Sequence, residues 1–399
     1  MAYLDQIQCI DRIDIREKQV FLRLDLNVPL KDGVIQDDTR IQASLPTIRY
    51  ALEQEAKLVL ASHLGRPKGP GDLKRLSLEP VAQALGQLLG VEVIFVEQPN
   101  SEAPKALLPT LKPNQLILLE NLRFDADETA NGEGLAQAIA EYTEVYVNDA
   151  FGASHRAHAS IVGVPALVKQ KAMGFLIQKE VRALEKLLYH AESPFVILMG
   201  GAKVSDKIEL IENLLDKSDA LLVGGAMAYT FLKAQGVCVG DSLVEVDKVS
   251  YAKQLLERLS LRDEKLYLPK DHVVASHLEE RPQVVEGEIP EGLKGFDIGP
   301  QTIQEYSEIL KNARTIFWNG PMGVFEKETY SKGTFSLAKV IAENQQAFSL
   351  VGGGDSAAAA KASGYAEKMS HISTGGGASL EFLEGRPLPG LEALKKKNQ

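Results

Sequence analysis

Two stretches near the C-terminus, LVGGGDSAAAA (350–360) and ISTGGGASLEFL (372–383), follow one plan. Each runs from a short β-prone segment through three glycines to a small residue that opens an apolar helical stretch. Glycine permits a sharp turn and a close approach of a ligand to the backbone amides. A helix start directs unpaired N–H groups and partial positive charge at the same point, which favours phosphate. One such turn also fits an ordinary strand-to-helix connection; the pair points to a polyphosphate.

Other residues fit that chemistry. In GGAKVSDK (200–207) Lys203 and Lys207 are four apart and would share a face if the helix near Ser205 reached back to them. GPMGVFE (320–326) is a rigid apolar loop ending in Glu326, an acid suited to accepting ribose hydroxyls. The GxxxxGK[ST] pattern is absent, which excludes a P-loop NTPase. Gly352–Ala357 does match GxGxxA, a dinucleotide fingerprint that expects an acid at the next strand end. That place holds Ser373 and Thr374 instead. Asp355, inside the loop, is better placed to hold Mg²⁺ on phosphate oxygens.

The first half offers a second set. Asp25 and Asn27 are two apart in extended chain and point the same way, although they also suit a simple turn. His63-Leu64-Gly65-Arg66-Pro67-Lys68-Gly69 is a fixed loop with donors for phosphate or carboxylate. Asn121-Leu122-Arg123 and Ala150–His158 follow two further strand candidates. Any one arginine here fits a solvated loop; four consecutive strand ends with Arg, His or Asp/Asn resist that reading. Arg40 follows Asp37-Asp38-Thr39, a helix start where a cation opposes the macrodipole. It reads as an arginine held where an anion arrives. His155 and His158 are three apart but have no obvious third metal ligand, so a zinc site is not assigned.

These residues need elements to place them. Strand candidates in the first half are 20–24, 57–62, 92–96, 115–120 and 144–149; in the second they are 195–200, 220–225, 265–269, 315–320, 348–353 and 370–373. Amphipathic segments such as 41–55, 78–89, 205–216 and 334–345 fall between them. Such alternation predicts an α/β protein with two doubly wound parallel-sheet domains. Ligands then sit beyond the carboxyl ends of the strands, where the residues above lie. A length of 399 residues agrees with two domains. Ile177, Val181, Leu184 and Leu188 step by four, three and four, which makes 173–190 an amphipathic helix linking domains 1–172 and 191–385. A hinge is expected there.

Apolar content of 45% and charged content of 25% fit a soluble globular chain. A net charge of −10 argues against a nucleic-acid surface and makes a local basic pocket a site for a small anion. No membrane span or secretory signal is expected. Two distant cysteines, Cys9 and Cys238, exclude a disulfide framework and indicate a reducing compartment, by default the cytoplasm.

Taken together, LRLDLNVP, SHLGRPKG, LENLRF, NDAFG, HRAHAS, GGAKVSDKI, WNGPMGVFE, VGGGDS and STGGGASLEFLEG occur in the order that marks the phosphoglycerate kinase family, which the chain resembles over essentially its whole length. Leu26 stands where the family usually has an aromatic residue, and Ala153-Ser154 where it commonly has Thr-Ala. Neither removes a charge, so packing rather than chemistry should change. The resemblance implies reversible phosphoryl transfer between MgATP and the carboxylate of 3-phosphoglycerate. It implies that Asp25, Asn27, Arg40, His63, Leu64, Gly65, Arg66, Arg123 and Arg156 bind phosphoglycerate. Lys203, Lys207, Gly295, Glu326, Gly353, Gly354, Asp355 and Ser356 would serve the nucleotide, with Mg²⁺ at Asp355. The turn Thr374, Gly375, Gly376, Gly377 would face the phosphoryl group, and Arg40, Lys203, Gly354 and Gly376 would act in the transfer. A monomer is the family expectation, with the tail 386–399 packed back on the first domain. Two other classes remain open on the residues alone. One is an NAD-dependent dehydrogenase resting on GxGxxA; the other is a non-catalytic two-lobed binding protein for phosphorylated metabolites.

Overall fold

The computed structural model describes residues 3–261 and 265–396. Its contacts divide the chain into two compact units, Met1–Arg182 with Pro387–Gln399, and Ala183–Arg386. The boundary falls inside the helix Phe175–Tyr189.

In the first unit the run QVFLRL forms the strand Gln19–Leu24 at the middle of a six-stranded sheet. Lys57–Ala61, Gln115–Leu119 and Glu92–Val96 lie in that order on one side; Val145–Asp149 and Gln170–Met173 lie on the other. Every pairing is parallel. Helices cover a parallel sheet on both faces, so its strands read as continuous apolar runs. Val145–Asp149 is accordingly buried at every position. The edge strand Gln170–Met173 was not expected, because QKAM is half polar and pairs with a single neighbour. The C-terminal segment also packs in this unit: Gly390 N–H donates to Ser154 O at 2.8 Å and Tyr3 hydroxyl to Glu392 at 2.7 Å.

The second unit also holds a six-stranded parallel sheet, with a different strand order. Phe195–Met199 lies centrally, flanked by Ala220–Val223 and Lys265–Tyr267 on one side and by Thr315–Asn319, Phe348–Val351 and His371–Ile372 on the other. These pairings too are all parallel. Trp318, Tyr306, Leu337 and Ile341 pack into its core. In each sheet the direction of winding reverses beside the first strand, and loops at that reversal open a crevice for a ligand.

A small antiparallel sheet, Gln283–Glu286, Asp271–Ala275 and Lys294–Ile298, was not legible beforehand. Its strands are short, and Gln283–Glu286 is largely exposed, so no strong apolar alternation marks it. Asp271 ties this sheet to the helix Pro300–Asn312. Its carboxylate accepts from Gln301 N at 2.9 Å, Thr302 N at 2.9 Å and Thr302 Oγ1 at 2.6 Å. These are the orphan donors of a helix start, satisfied from a neighbouring strand. Asp271→Ala should therefore destabilise the second unit by about 2–3 kcal/mol. Urea unfolding followed through the one tryptophan, the buried Trp318, checks this; an unchanged midpoint would contradict it.

Candidate functional site

In the first unit, residues from four strand ends meet. Arg40 sits in the first turn of the helix Thr39–Glu53, whose dipole repels a cation. Asp25 offsets that repulsion: Arg40 Nη1 donates to Asp25 Oδ1 at 2.9 Å and to Asn27 O at 3.2 Å. Asn27 Oδ1 accepts from Gly65 N at 2.8 Å, and Arg123 Nη1 donates to Gly65 O at 2.5 Å. Asn121 holds the same loop, accepting from Leu64 N at 3.1 Å and donating to Leu64 O at 2.7 Å. Asp25, Asn27, Arg40, Leu64, Gly65 and Arg123 thus form one hydrogen-bonded group.

The charges around it are unbalanced. Burial, then the charges of Arg156 and Arg23, with a smaller one from Arg66, push Arg123 down to about 10. Burial and the charges of Arg23, Arg123 and Arg40 keep His63 well below its ordinary value, so the ring is neutral. Arg123 Nε is buried with no hydrogen-bond partner among the described residues. A guanidinium forced down by burial and then by neighbouring cations is a group short of anions. The basin is short of negative charge.

Sequence reasoning missed what lies beneath. Arg23 is fully buried in the central strand. Its Nη2 is 3.6 Å from Glu128 Oε1, also fully buried, and its Nε donates to Ser160 Oγ at 2.7 Å. Glu128 accepts from Ser160 N at 3.0 Å and Ser160 Oγ at 2.7 Å, and His158 Nδ1 stands 3.6 Å away. Burial opposes ionisation of Glu128, but His158, Arg23 and Ser160 outweigh it and hold the carboxyl at about 2. The one signal was an arginine inside an apolar strand run. His155 and His158 have separate partners: His155 Nε2 accepts from Arg156 Nε at 3.3 Å.

In the second unit a cleft of about 340 Å³ is lined by Gly200–Lys203, Asp206, Lys207, Asn319, Gly320, Gly353–Ser356 and Leu380. Its floor is backbone against backbone. Gly200 N donates to Asn319 O and Gly201 N to Pro321 O, both at 2.9 Å. A Cβ on Gly200 would lie 2.1 Å from Pro321 O, so only glycine fits there. Gly353, with φ of 90°, precedes the helix Gly354–Ala362 and leaves its first amides at the cleft.

Lys203 and Lys207 both line the cleft, but not as one helical face. The helix opens as a tight turn, Ser205–Lys207, beyond Lys203. Glu245 clamps that turn, accepting from Val204 N, from Ser205 N at 3.1 Å and from Ser205 Oγ at 2.6 Å. Burial lowers the Lys207 pKa, and the ammonium donates to Asn319 Oδ1. Asn319 Nδ2 in turn donates to Gly352 O at 2.6 Å. Asn319 joins two loops and was not singled out beforehand, since it ends a strand as any turn residue does. Ser356 Oγ accepts from Gly320 N at 2.6 Å, so one lone pair of that hydroxyl serves the scaffold.

Six expected residues, Gly295, Glu326 and the turn Thr374, Gly375, Gly376 and Gly377, lie off this cleft's lining. Gly295 is in the small antiparallel sheet, where the Tyr229 hydroxyl would lie 1.8 Å from a Cβ, so packing alone requires glycine. Glu326 is exposed on the loop joined to that sheet by Val324 N donating to Phe296 O at 2.9 Å. Gly376, with φ of 52°, precedes the helix Gly377–Leu383, and Ser373 Oγ pairs with Ser379 Oγ behind that turn. The departures from the family pattern, Leu26, Ala153 and Ser154, are all buried.

The Glu128 linkage has a definite sign. Its folded value of about 2 lies below the ordinary 4.5, so between them the unfolded chain binds more protons and stability rises with pH. The contribution is complete above 4.5 and is lost as pH falls towards about 2. Glu128→Gln should cost about 3–5 kcal/mol near neutrality, because Arg23 is left unpaired. Urea unfolding at a series of pH values should show the gap to wild type narrowing with acidification; a constant gap contradicts the assignment.

The matches to known proteins fit this geometry. Residues 10–386 match the family model described as phosphoglycerate kinase. A phosphoglycerate kinase from Bdellovibrio bacteriovorus is 55% identical, with 99% of this chain and 98% of the relative covered. One from an Anaeromyxobacter species is 53% identical, over 98% and 99%. Among solved structures, phosphoglycerate kinase from Coxiella burnetii superposes with a TM-score of 0.89 at 42% identity, covering 97% of this chain and 98% of that one. The enzyme from Pyrococcus horikoshii gives 0.84 at 35% identity, over the same shares. With the family model and the relatives matching along nearly the full length, and with an arginine-rich basin and a glycine-lined cleft at the strand ends of the two sheets, the chain belongs to the phosphoglycerate kinase family.

Proposed function

We propose a division of labour for the reaction of this family: phosphoglycerate is held in the first unit and the nucleotide in the second. The reaction is reversible phosphoryl transfer between ATP and the carboxylate of 3-phosphoglycerate, a step of glycolysis, and the chain is a kinase. The observation that carries the assignment is the charge imbalance in the first unit. Arg156, Arg23 and Arg66 act on the buried Arg123, and Arg23, Arg123 and Arg40 on the buried His63, with few carboxylates to offset them. A phosphate and a carboxylate on one small molecule restore the balance.

In the second unit Lys203, Lys207 and the amides of Gly353, Gly354, Asp355 and Ser356 receive the nucleotide phosphates. Gly295 and Glu326 take the base and ribose end, reached through the loop that the small sheet supports. Asp206 and Asp355 are the carboxylates of the cleft, and no cluster of three His, Cys, Asp or Glu ligands occurs among the described residues. One or two carboxylates completed by phosphate oxygens and water is a donor set that suits Mg²⁺. Asp355 is the residue to hold it, and when bound the ion offsets negative charge on the phosphates.

The nucleophile is already an ionised carboxylate, so no general base is required. What remains is positioning and charge neutralisation. Arg40, Lys203 and the turns at Gly354 and Gly376 supply donors to the moving phosphoryl group. Arg40 is held on Asp25 by one guanidinium nitrogen, which leaves its other donors for the ligand. Transfer needs donor and acceptor within contact, and the linking helix is the proposed hinge. The free thiols Cys9 and Cys238 support a reducing, cytoplasmic setting. Among the described residues the large exposed apolar side chains, apart from Leu243 and Val246, are scattered along the chain, which supports a monomer. Among the described residues no helix is long and apolar enough to cross a membrane.

A coupled assay with ATP and 3-phosphoglycerate should show turnover, with no binding of NADH; the reverse favours the dehydrogenase reading. Arg40→Ala should leave both ligands bound while lowering kcat by about 10³. Retention of more than about a tenth of wild-type kcat contradicts its role. Lys207→Ala should weaken MgADP in titration calorimetry, and an unchanged affinity removes Lys207 from the site.

A further inference from the structure

The first unit buries a chain of donors and acceptors whose direction is fixed at every link. Glu128 is an acceptor at both oxygens, and Ser160 gives it both its backbone N–H and its hydroxyl proton. With that proton spent, Ser160 Oγ has only lone pairs left, and Arg23 Nε donates to one at 2.7 Å. Arg23 Nη1 donates to Leu24 O, and its Nη2 is 3.3 Å from His63 Nδ1. A guanidinium has no acceptor, so His63 Nδ1 must be the acceptor of this pair. A neutral ring that accepts at Nδ1 carries its proton on Nε2.

We propose that Glu128, acting through Arg23, is a positioning residue that sets the tautomer of His63 and presents the ring to phosphoglycerate as a neutral Nε2–H donor. This rests on the placement of phosphoglycerate given under Proposed function. The opposite tautomer would turn a lone pair towards an anion. A charged ring is disfavoured by burial and by the cations Arg23, Arg123 and Arg40. The site keeps a histidine among arginines and still uses it as a donor of one definite hydrogen bond. Tyr146 secures the far end, its hydroxyl donating to Ser160 O at 2.7 Å.

Two readouts on the full-length enzyme test this. Long-range ¹H–¹⁵N spectra, with His63 assigned by its loss in His63→Gln, should show Nδ1 unprotonated and Nε2 protonated in the wild type. This needs no substitution in the buried network. The double variant Arg23→Met/Glu128→Gln removes both charges together and so leaves no lone buried ion. It should show a mixture of tautomers, a KM for 3-phosphoglycerate raised about tenfold or more, and a KM for ATP within about twofold of wild type. A wild-type ring protonated at Nδ1 overturns the positioning itself. Mixed tautomers with an unchanged KM for 3-phosphoglycerate overturn its link to recognition. The expected tautomer together with an unaltered phosphoglycerate KM in His63→Gln overturns the underlying substrate placement, and the recognition role falls with it.

Discussion

Arg23 carries a full charge into a strand whose neighbours are apolar, and such a charge is tolerated only with a partner fixed beside it. Glu128 is that partner, brought in from the helix Ala126–Ala130, which begins just past the fourth strand's loop. Ser160 arrives from the segment after the fifth strand and bonds to both. One buried ion pair therefore ties the middle of the sheet to the loops that carry Arg123 and Arg156. Those loops can then hold several arginines close together around a neutral histidine. Without the buried anchor, mutual repulsion would spread them into solvent.

The second unit solves a different problem. Its cleft is lined largely by glycine backbone, so the constraint is access rather than charge. Gly200 and Gly320 let two strand-end loops touch backbone to backbone, and Gly353 leaves room for the Asn319 amide of the neighbouring loop. Asn319 and Ser356 lock those loops with side chains that never need to reach the ligand. Pre-fixed amides require no reorganisation when charge moves, which is how such sites stabilise a transition state. The two units are thus both built on six-stranded parallel sheets, with different strand orders and with loops fixed by unlike means.

The strands that line the sites were legible because they are long apolar runs ending in glycine or polar residues: VFLRL, FVILMG and TIFWNG needed no structure to be read. Gln170–Met173 was not legible, since an edge strand with one neighbour needs little apolar character. The strands of the small antiparallel sheet escaped for a related reason, being short and part-exposed. The motif residues themselves stood out through their types and positions. Glu128, Ser160, Asn319 and Glu245 did not, because each makes its contact with a partner remote in sequence, and nothing local distinguishes it from a surface residue. Gly295 shows the converse: its packing against Tyr229 requires glycine whatever ligand comes near.

The account stands on separate seats for two anionic ligands. A crystal structure of the enzyme with both 3-phosphoglycerate and MgADP tests this most directly. It should show phosphoglycerate against Arg40, His63 and Arg123, and the ADP phosphates over Gly353–Ser356 beside Lys203 and Lys207. Both ligands on one unit, or either at the amino ends of the strands, would contradict it.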